Sequence, residues 1–289
     1  MNEEVKWESL LRYRLIEIIA LWEGRLTTNH LCGTFGIKRQ QASRDINNYL
    51  TLAEGNIAYD PKLKGYHPTE TFTPKFTQGR VDEYLQLLDS NSLLDESVER
   101  LALPETPTYV LRAPSRITSP SIVRKLVEAC RRGLRLEITY ASMNNAEGEE
   151  RIIAPHAIVS SGYRWHMRAY CEKNRDYRDF IIGRVLEISD FMGSRVDNPI
   201  EDQLWQEFIE LRLVPHPDLS EPQKQLIERE RGMTDGQLLV TTRKATAIYM
   251  LQLLQVPTEK SDNPMATPMV LENLPEIDAL KFGKKTVQS

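Results

Sequence analysis

"LTTNHLCGTFGIKRQQASRDINNYL", residues Leu26–Leu50, reads as two short helices on either side of a glycine turn. Thr27 or Thr28 can cap the first helix, which runs to about Thr34. Phe35-Gly36-Ile37 then turns the chain, since Gly36 is free to take a positive φ. A second helix is expected from about Arg39 to Leu50, with Ala42, Ile46, Tyr49 and Leu50 on its buried side. The opposite side carries Lys38, Arg39, Gln40, Gln41, Ser43, Arg44, Asn47 and Asn48, every one a hydrogen-bonding side chain. Amide side chains suit adenine edges, guanidinium suits guanine, and Ser and Arg also hold phosphates.

The flanks extend the pattern. In KWESLLRYRLIEIIALWEG, Leu11, Leu15, Ile18 and Trp22 fall on one face of a helix that Gly24 ends. Downstream, NIAYDPKLKGYHP holds two strand-like pieces around a turn, with Lys62 and Lys64 at its tip. Helix, turn, helix and hairpin together are the sequence shape of a winged helix-turn-helix, which sets its second helix in the major groove and its wing on the backbone. From Arg25 to Tyr66 there are six basic and three acidic residues, in keeping with a phosphate-facing surface. Residues 1–70 are therefore expected to bind double-stranded DNA through Thr27, Thr28, Lys38, Arg39, Gln40, Gln41, Ser43, Arg44, Asn47, Lys62 and Lys64. The competing account is a solvated polar helix face in a bundle that binds no DNA. One such helix pair binds weakly, so two copies on two half-sites are expected, with the long apolar first helix and an acidic connector making the dimer contacts.

That connector is residues 71–118. Prolines 74, 104, 107 and 114 punctuate it, with one helical piece near RVDEYLQLLDS. Beyond it, SIVRKLVEACRRG reads as an amphipathic helix ending at Gly133. Four strand candidates follow, LRLEITYAS, RIIAPHAIVSS, RWHMRAYC and DFIIGRVLEIS, which suggest a small barrel or curled sheet over residues 119–195. Residues 196–289 alternate strand, helix, strand, helix, compatible with a small ferredoxin-like domain. The fold class expected is thus α+β and multidomain.

Charge singles out the middle of the chain. The whole carries net −4, yet residues 112–184 hold 14 Lys+Arg against 8 Asp+Glu. A local anion site explains this better than a generally adhesive surface. In RWHMRAYC, side chains alternate: Trp165, Met167, Ala169 and Cys171 share one face, Arg164, His166, Arg168 and Tyr170 the other. Neighbouring strands add Tyr140, Ser142, Arg151, His156, Arg178 and Arg184. Guanidinium groups grip phosphate through two bonds and aromatic rings stack a base, so a phosphorylated or nucleic-acid ligand is the natural guest. Exposed arginines also pair with carboxylates, and Glu172, Asp176 and Asp179 stand close in sequence.

TYAS, RIIAPHAIV, GYRWHMRAYC and DFIIGRVLEI resemble the WYL domain, with Trp165-His166-Met167 where that family has Trp-Tyr-Leu. WQEFIELRLVPHPDLSEPQKQLIERERGM resembles the extension that follows this domain in bacterial regulators, and KRQQASRDINNYL with its hairpin resembles their winged helix. The resemblance implies a homodimeric transcriptional regulator, most often a repressor beside phage-defence operons, that binds an inverted repeat. It also implies an Sm-like, SH3-type β-barrel that senses a nucleic-acid or nucleotide-like effector. By position, Tyr140, Ser142, Arg151, His156, Trp165, His166, Arg168 and Arg184 would line or support that site, with Arg178 nearby.

Other classes fare worse. The chain has no P-loop, GxSxG or HExxH, so an enzyme is not expected, and no cofactor is implied. Cys32, Cys130 and Cys171 are odd in number and widely spaced, which argues against disulfides or zinc. No apolar run is long enough for a membrane span and the N-terminus is not a signal peptide, so a cytoplasmic protein is expected. The remaining alternatives are an activator of the same build, a nucleic-acid-binding adaptor, or a nucleotide-processing enzyme.

Overall fold

The computed structural model describes residues 6–93, 109–111, 118–162, 164–194, 201–259 and 261–280. They fall in two compact units, Met1–Arg112 and Ala113–Ser289. The expected connector therefore lies partly outside the described residues, at 94–108 and 112–117.

The first unit opens with α1 (Trp7–Glu23), closed by Gly24 in the left-handed conformation, then α2 (Thr28–Phe35) and α3 (Arg39–Leu52). Between α2 and α3, Gly36 sits at φ 61°, the positive angle the turn requires. The hairpin β1 (Ile57–Asp60) and β2 (Gly65–Pro68) follows, and Leu26 bridges to Tyr66. A Cβ on Gly65 would stand 2.9 Å from the Leu26 carbonyl oxygen, so only glycine lets the hairpin close this tightly. The core is Tyr13, Ile16, Ile19 and Ala20 of α1 against Leu26, Leu31, Ala42, Ile46 and Tyr49. This is not quite the stripe that periodicity suggests: Leu15 and Ile18 are buried, whereas Leu11 and Trp22 stand exposed.

Residues 72–77 are woven into the same unit. Glu17, fully buried, accepts hydrogen bonds from the backbone N–H groups of Lys75, Phe76 and Thr77 at 2.8–3.0 Å. It also accepts from the hydroxyls of Thr77 (2.8 Å) and Tyr49 (3.1 Å). A buried carboxylate is tolerated only when its lone pairs are filled in this way. Phe72, Phe76 and Leu87 pack on the core, Leu87 from α4 (Val81–Leu93).

The second unit begins with α5 (Pro120–Arg132), whose Leu126 and Ala129 pack on a five-stranded antiparallel sheet. Its strands are β3 (Leu134–Ser142), β4 (Asn145–Ser160), β5 (Trp165–Cys171), β6 (Asp176–Ile181) and β7 (Val185–Ser194). Their order is β6-β5-β4-β3-β7. The sheet bends at register shifts in β3 and β4, yet among the described residues β6 and β7 never pair. The closed barrel expected from the sequence is thus not formed: bulges curl a sheet, but closure needs its two edge strands to meet.

After the sheet come α6 (Gln203–Gln206), β8 (Phe208–Pro215), α7 (Glu221–Arg231), β9 (Leu238–Arg243), α8 (Ala247–Leu253), β10 (Met269–Leu271) and α9 (Leu274–Ile277). The sheet order is β10-β8-β9, all antiparallel. The expected ferredoxin-like unit would keep the two strands that flank a helix parallel and apart. Here β8 and β9 flank α7 as direct antiparallel neighbours, an arrangement that the alternation of helix and strand in sequence does not distinguish. Leu211 and Leu213 of β8 pack with Ala247, Ile248 and Leu251 of α8.

Candidate functional site

The outward side of α3 is built by spending its inward side. Ala42, Asp45, Ile46 and Tyr49 recur at helical spacing and are all buried. Asp45 pairs with Arg12 of α1 at 2.8 Å and accepts a bond from Gln41 at 3.0 Å, which fixes the helix against rotation. Lys38, Arg39, Gln40, Arg44, Asn47 and Asn48 remain exposed, and Ser43 is half-buried. Gln41, grouped with them in the sequence, is turned back to Asp45. Thr27 is the N-cap of α2, sharing a capping box with His30, and Thr28 is that helix's first residue. Both are half-buried, at the end of α2.

Lys62 and Lys64 are exposed on the hairpin. Asp60 holds the turn through the backbone N–H of Lys62 at 2.7 Å, and Arg25 donates to the Leu63 carbonyl at 2.7 Å. The hairpin is therefore clamped to the strand-like segment at Leu26. An exposed row of guanidinium and amide groups beside a pinned basic hairpin can contact base edges and phosphates together.

The arginine strand has a different fate. Met167, Ala169 and Cys171 of β5 pack with α5 on one face, as the alternation predicts. On the other face His166 and Arg168 are 2% and 5% exposed, so this polar row is closed over rather than open. What closes it is the segment after the sheet. Arg168 donates through Nε and Nη2 to the two carboxylate oxygens of Asp202, at 2.7 and 2.9 Å, and through Nη1 to Asp179 at 3.3 Å. Asp202 also meets His156 Nε2 at 3.0 Å and accepts from the Trp205 backbone N–H at 3.3 Å. Tyr249 of α8 donates to Asp179 at 3.0 Å and lays its ring 4.5 Å from that of His166.

His156 reaches Asp202 because of a bulge. Pro155 pairs with Ala169 and Ala157 with Arg168, leaving His156 as the extra residue of β4. Its ring stands edge-on to Tyr177 and Trp205, at 5.5 and 5.3 Å. Burial alone would push the Asp202 carboxyl up, but the bonds and charges of His156 and Arg168 outweigh it and hold the carboxyl at about 2. Burial likewise disfavours the Arg168 charge, and Asp202 with Asp179 more than offsets this. Burial lowers the His166 pKa against the pull of Asp179. His166 Nε2 has no hydrogen-bond partner among the described residues and lies 4.0 Å from Asp179.

Of the ligand residues read from sequence, the structure thus brings together His156, His166 and Arg168. The others lie elsewhere. Tyr140 packs edge-on to Phe180 in the α5 core, its hydroxyl accepting from the Ile181 N–H. Ser142 caps the β3–β4 turn through the Asn145 N–H. Arg151 pairs with Glu149 and donates to Asn174 at 2.8 Å. Trp165 and Arg178 are exposed, and Arg184 is half-buried in the turn before β7. Sequence reading missed Asp202 and Tyr249, 34 and 70 residues from the Arg168 and Asp179 that they bond. No local spacing links them.

Three family models match successive parts of the chain. Residues 8–90 match the BrxR transcriptional regulator winged helix-turn-helix domain, 121–189 the WYL domain, and 208–277 the BrxR transcriptional regulator C-terminal dimerization domain. Full-length relatives are the DNA-binding transcriptional repressors CapW of Pseudomonas aeruginosa and Stenotrophomonas maltophilia. The first is 33% identical over 281 residues, covering 96% of this chain and 94% of its own; the second is 31% identical over 278, covering 96% and 93%. The chain belongs to the CapW family of WYL-domain transcriptional regulators. Within that family frame Asp202 and Trp205 lie in the joint between the WYL match and the dimerization match, while Tyr249 lies inside the latter. Among the described residues no helix is long and apolar enough to cross a membrane, and no cluster of His, Cys, Asp or Glu fits a metal ion.

Proposed function

We propose that this chain is a sequence-specific transcriptional repressor that binds an inverted repeat as a homodimer and is modulated by a nucleotide-like or nucleic-acid-derived anion at its WYL domain. The observation that carries the reading is the exposed Arg39, Gln40, Arg44, Asn47 row on a helix locked by Asp45 and flanked by a pinned wing. Thr27, Thr28, Lys62 and Lys64 are assigned to the phosphates, and α3 to the bases. Trp7, Leu11 and Trp22 leave an apolar strip of α1 exposed, which suits contact with a second copy beside that of the dimerization region. Control of a phage-defence operon and placement in the cytoplasm complete the reading, on the resemblance to WYL-domain regulators.

The test is anisotropy of a labelled duplex from upstream of the protein's own gene, against a scrambled duplex, over a salt series. Tight binding to the first alone, with a slope near 0.9 per phosphate contact, is the expected result. Equal, weak binding to both removes the repressor reading. A reporter whose output rises with the protein present would make it an activator instead.

A further inference from the structure

We propose that Asp202 is a built-in occupant of a phosphate site, and that a phosphate-bearing effector binds this protein by displacing the Asp202 carboxylate from Arg168 and His156. The proposal rests on the WYL domain being the sensor and adds how its site is kept closed and what opening it moves.

The donor set around Asp202 is what a phosphate requires. It comprises a guanidinium fork (Arg168 Nε and Nη2) and an imidazole nitrogen (His156 Nε2), all within 3.0 Å of one carboxylate and all on strands that stay in place when Asp202 leaves. A guanidinium fork accepts carboxylate and phosphate in the same two-bond geometry. A phosphate offers more acceptor oxygens than a carboxylate, and a nitrogen on the same strand face as Arg168 has no hydrogen-bond partner: His166 Nε2, buried, 4.0 Å from Asp179 and out of hydrogen-bond range. The site is therefore filled by an anion but not fully satisfied by it.

Displacement would reach the dimerization region. Asp202 begins α6, and its carbonyl accepts from the Trp205 and Gln206 N–H groups at 3.0 Å. Trp205 is held in turn by Arg243 at the end of β9, whose guanidinium carbon lies 4.7 Å from its ring centre and which donates to its carbonyl. Arg168 is 5% exposed beneath this segment, so an external phosphate and the seated segment exclude one another. Binding a phosphate thus means lifting residues 202–206, the piece tied to β9. In the closed state the site is mostly unavailable, and apparent affinity is reduced by the fraction that is open.

The experiment is calorimetric titration of inorganic phosphate into the wild-type full chain, Asp202→Asn, and Asp202→Asn combined with Arg168→Gln. Asp202→Asn is expected to bind phosphate at least about tenfold more tightly than wild type, and the double variant to lose that gain. A folded Asp202→Asn, with wild-type circular dichroism and a cooperative melt, that binds no better than wild type overturns the proposal. A 5′-mononucleotide titrated alongside distinguishes the source: tighter binding than phosphate names a nucleotide, equal binding names the phosphate group alone. If Asp202→Asn does not fold, hydrogen exchange on wild type decides. Saturating phosphate, against chloride at equal ionic strength, is expected to speed exchange of the Trp205 and Gln206 amides; unchanged protection there overturns the displacement. Operator anisotropy on the same wild-type sample keeps the two readings apart, since the repressor stands if the duplex is bound, whatever phosphate does.

Discussion

The outward side of α3 and the polar face of β5 are both rows of guanidinium and nitrogen-bearing side chains, yet one stands in solvent and the other is sealed. The difference follows from the geometry of their elements. A helix on the surface of a small bundle needs cover on one stripe only, and Ala42, Asp45, Ile46 and Tyr49 supply it. A central strand has two faces. One face of β5 is covered by α5, and the other is buried against the segment that starts at Asp202, which must then bring acceptors for Arg168. The same residue types are an exposed surface in the first case and half of an internal ion-pair network in the second.

The sharpest way to break this contrast is to remove one arginine from each row. Arg168→Met leaves Asp202 and Asp179 without their shared counter-charge and is expected to cost about 3–5 kcal/mol in urea unfolding, the usual penalty for opening a buried pair. Arg44→Met, on the exposed row, is expected to stay within about 0.5 kcal/mol of wild type. Equal costs would mean that the two faces do not differ as described. Sequence alone placed Arg168 among residues that line or support a ligand site; in the structure it is a buried member of an ion-pair network.

The next effect reverses the roles. Arg44→Ala is expected to weaken operator binding by about 10–100-fold, as loss of a paired base contact does, with unchanged thermal unfolding. A variant that shifts the duplex as well as wild type does would move base reading away from the middle of α3. Lys62→Ala, at a position proposed to meet a phosphate, is expected instead to lower affinity for all duplexes and reduce the salt slope by about 1.

The buried network also carries a pH signature. The Asp202 carboxyl sits at about 2 in the folded chain against its ordinary 3.8. A carboxyl with a depressed folded pKa stabilises above its unfolded value, and that contribution disappears as pH falls through the folded one. Between about pH 4 and pH 2 the second unit is therefore expected to lose about 2 kcal/mol, a loss absent from Asp202→Asn. Denaturant midpoints across that range read it directly.

How far the sequence foretold this molecule depends on how local each feature is. The α2–turn–α3 pair, the hairpin and the first three strands of the WYL sheet were legible, because caps, glycine turns and alternation act over a few residues; the fourth candidate, DFIIGRVLEIS, is instead broken by the turn at Ile182–Arg184 into β6 and β7, which lie at opposite edges. In α1 the apolar residues are so dense that two stripes compete. Periodicity favoured Leu11, Leu15, Ile18 and Trp22, whereas the core took Tyr13, Ile16 and Ile19 along with Leu15 and Ile18. Asp45 was readable in principle, falling three residues after Ala42 and one before Ile46. The closing of the β5 face was not, since nothing near Arg168 in the chain announces Asp202. Nor was the open edge of the sheet, because strand patterns do not state which edges meet.

Glu23 sets the smallest of these effects against the largest network. Its carboxylate oxygens are buried at the end of α1, where burial lifts the pKa to about 7 even though the Tyr84 hydroxyl pulls the other way. Asp202 is surrounded by positive partners and stays charged; Glu23 has no positive partner among the described residues and keeps its proton up to about pH 7. The sign of its contribution is accordingly opposite. An acid whose folded pKa is raised adds stability that is whole below its unfolded value of 4.5 and is lost as pH climbs towards 7. The side chain is only partly enclosed, so solvent screening trims the effect. Thermal melts of wild type and Glu23→Gln from pH 5 to pH 8 are expected to diverge, wild type falling below the variant as the carboxyl ionises. Parallel curves would show that Glu23 titrates as an ordinary surface acid. In that case the contrast between a carboxyl that keeps its proton up to about pH 7 in the first unit and a charged one in the second would reduce to Asp202 alone.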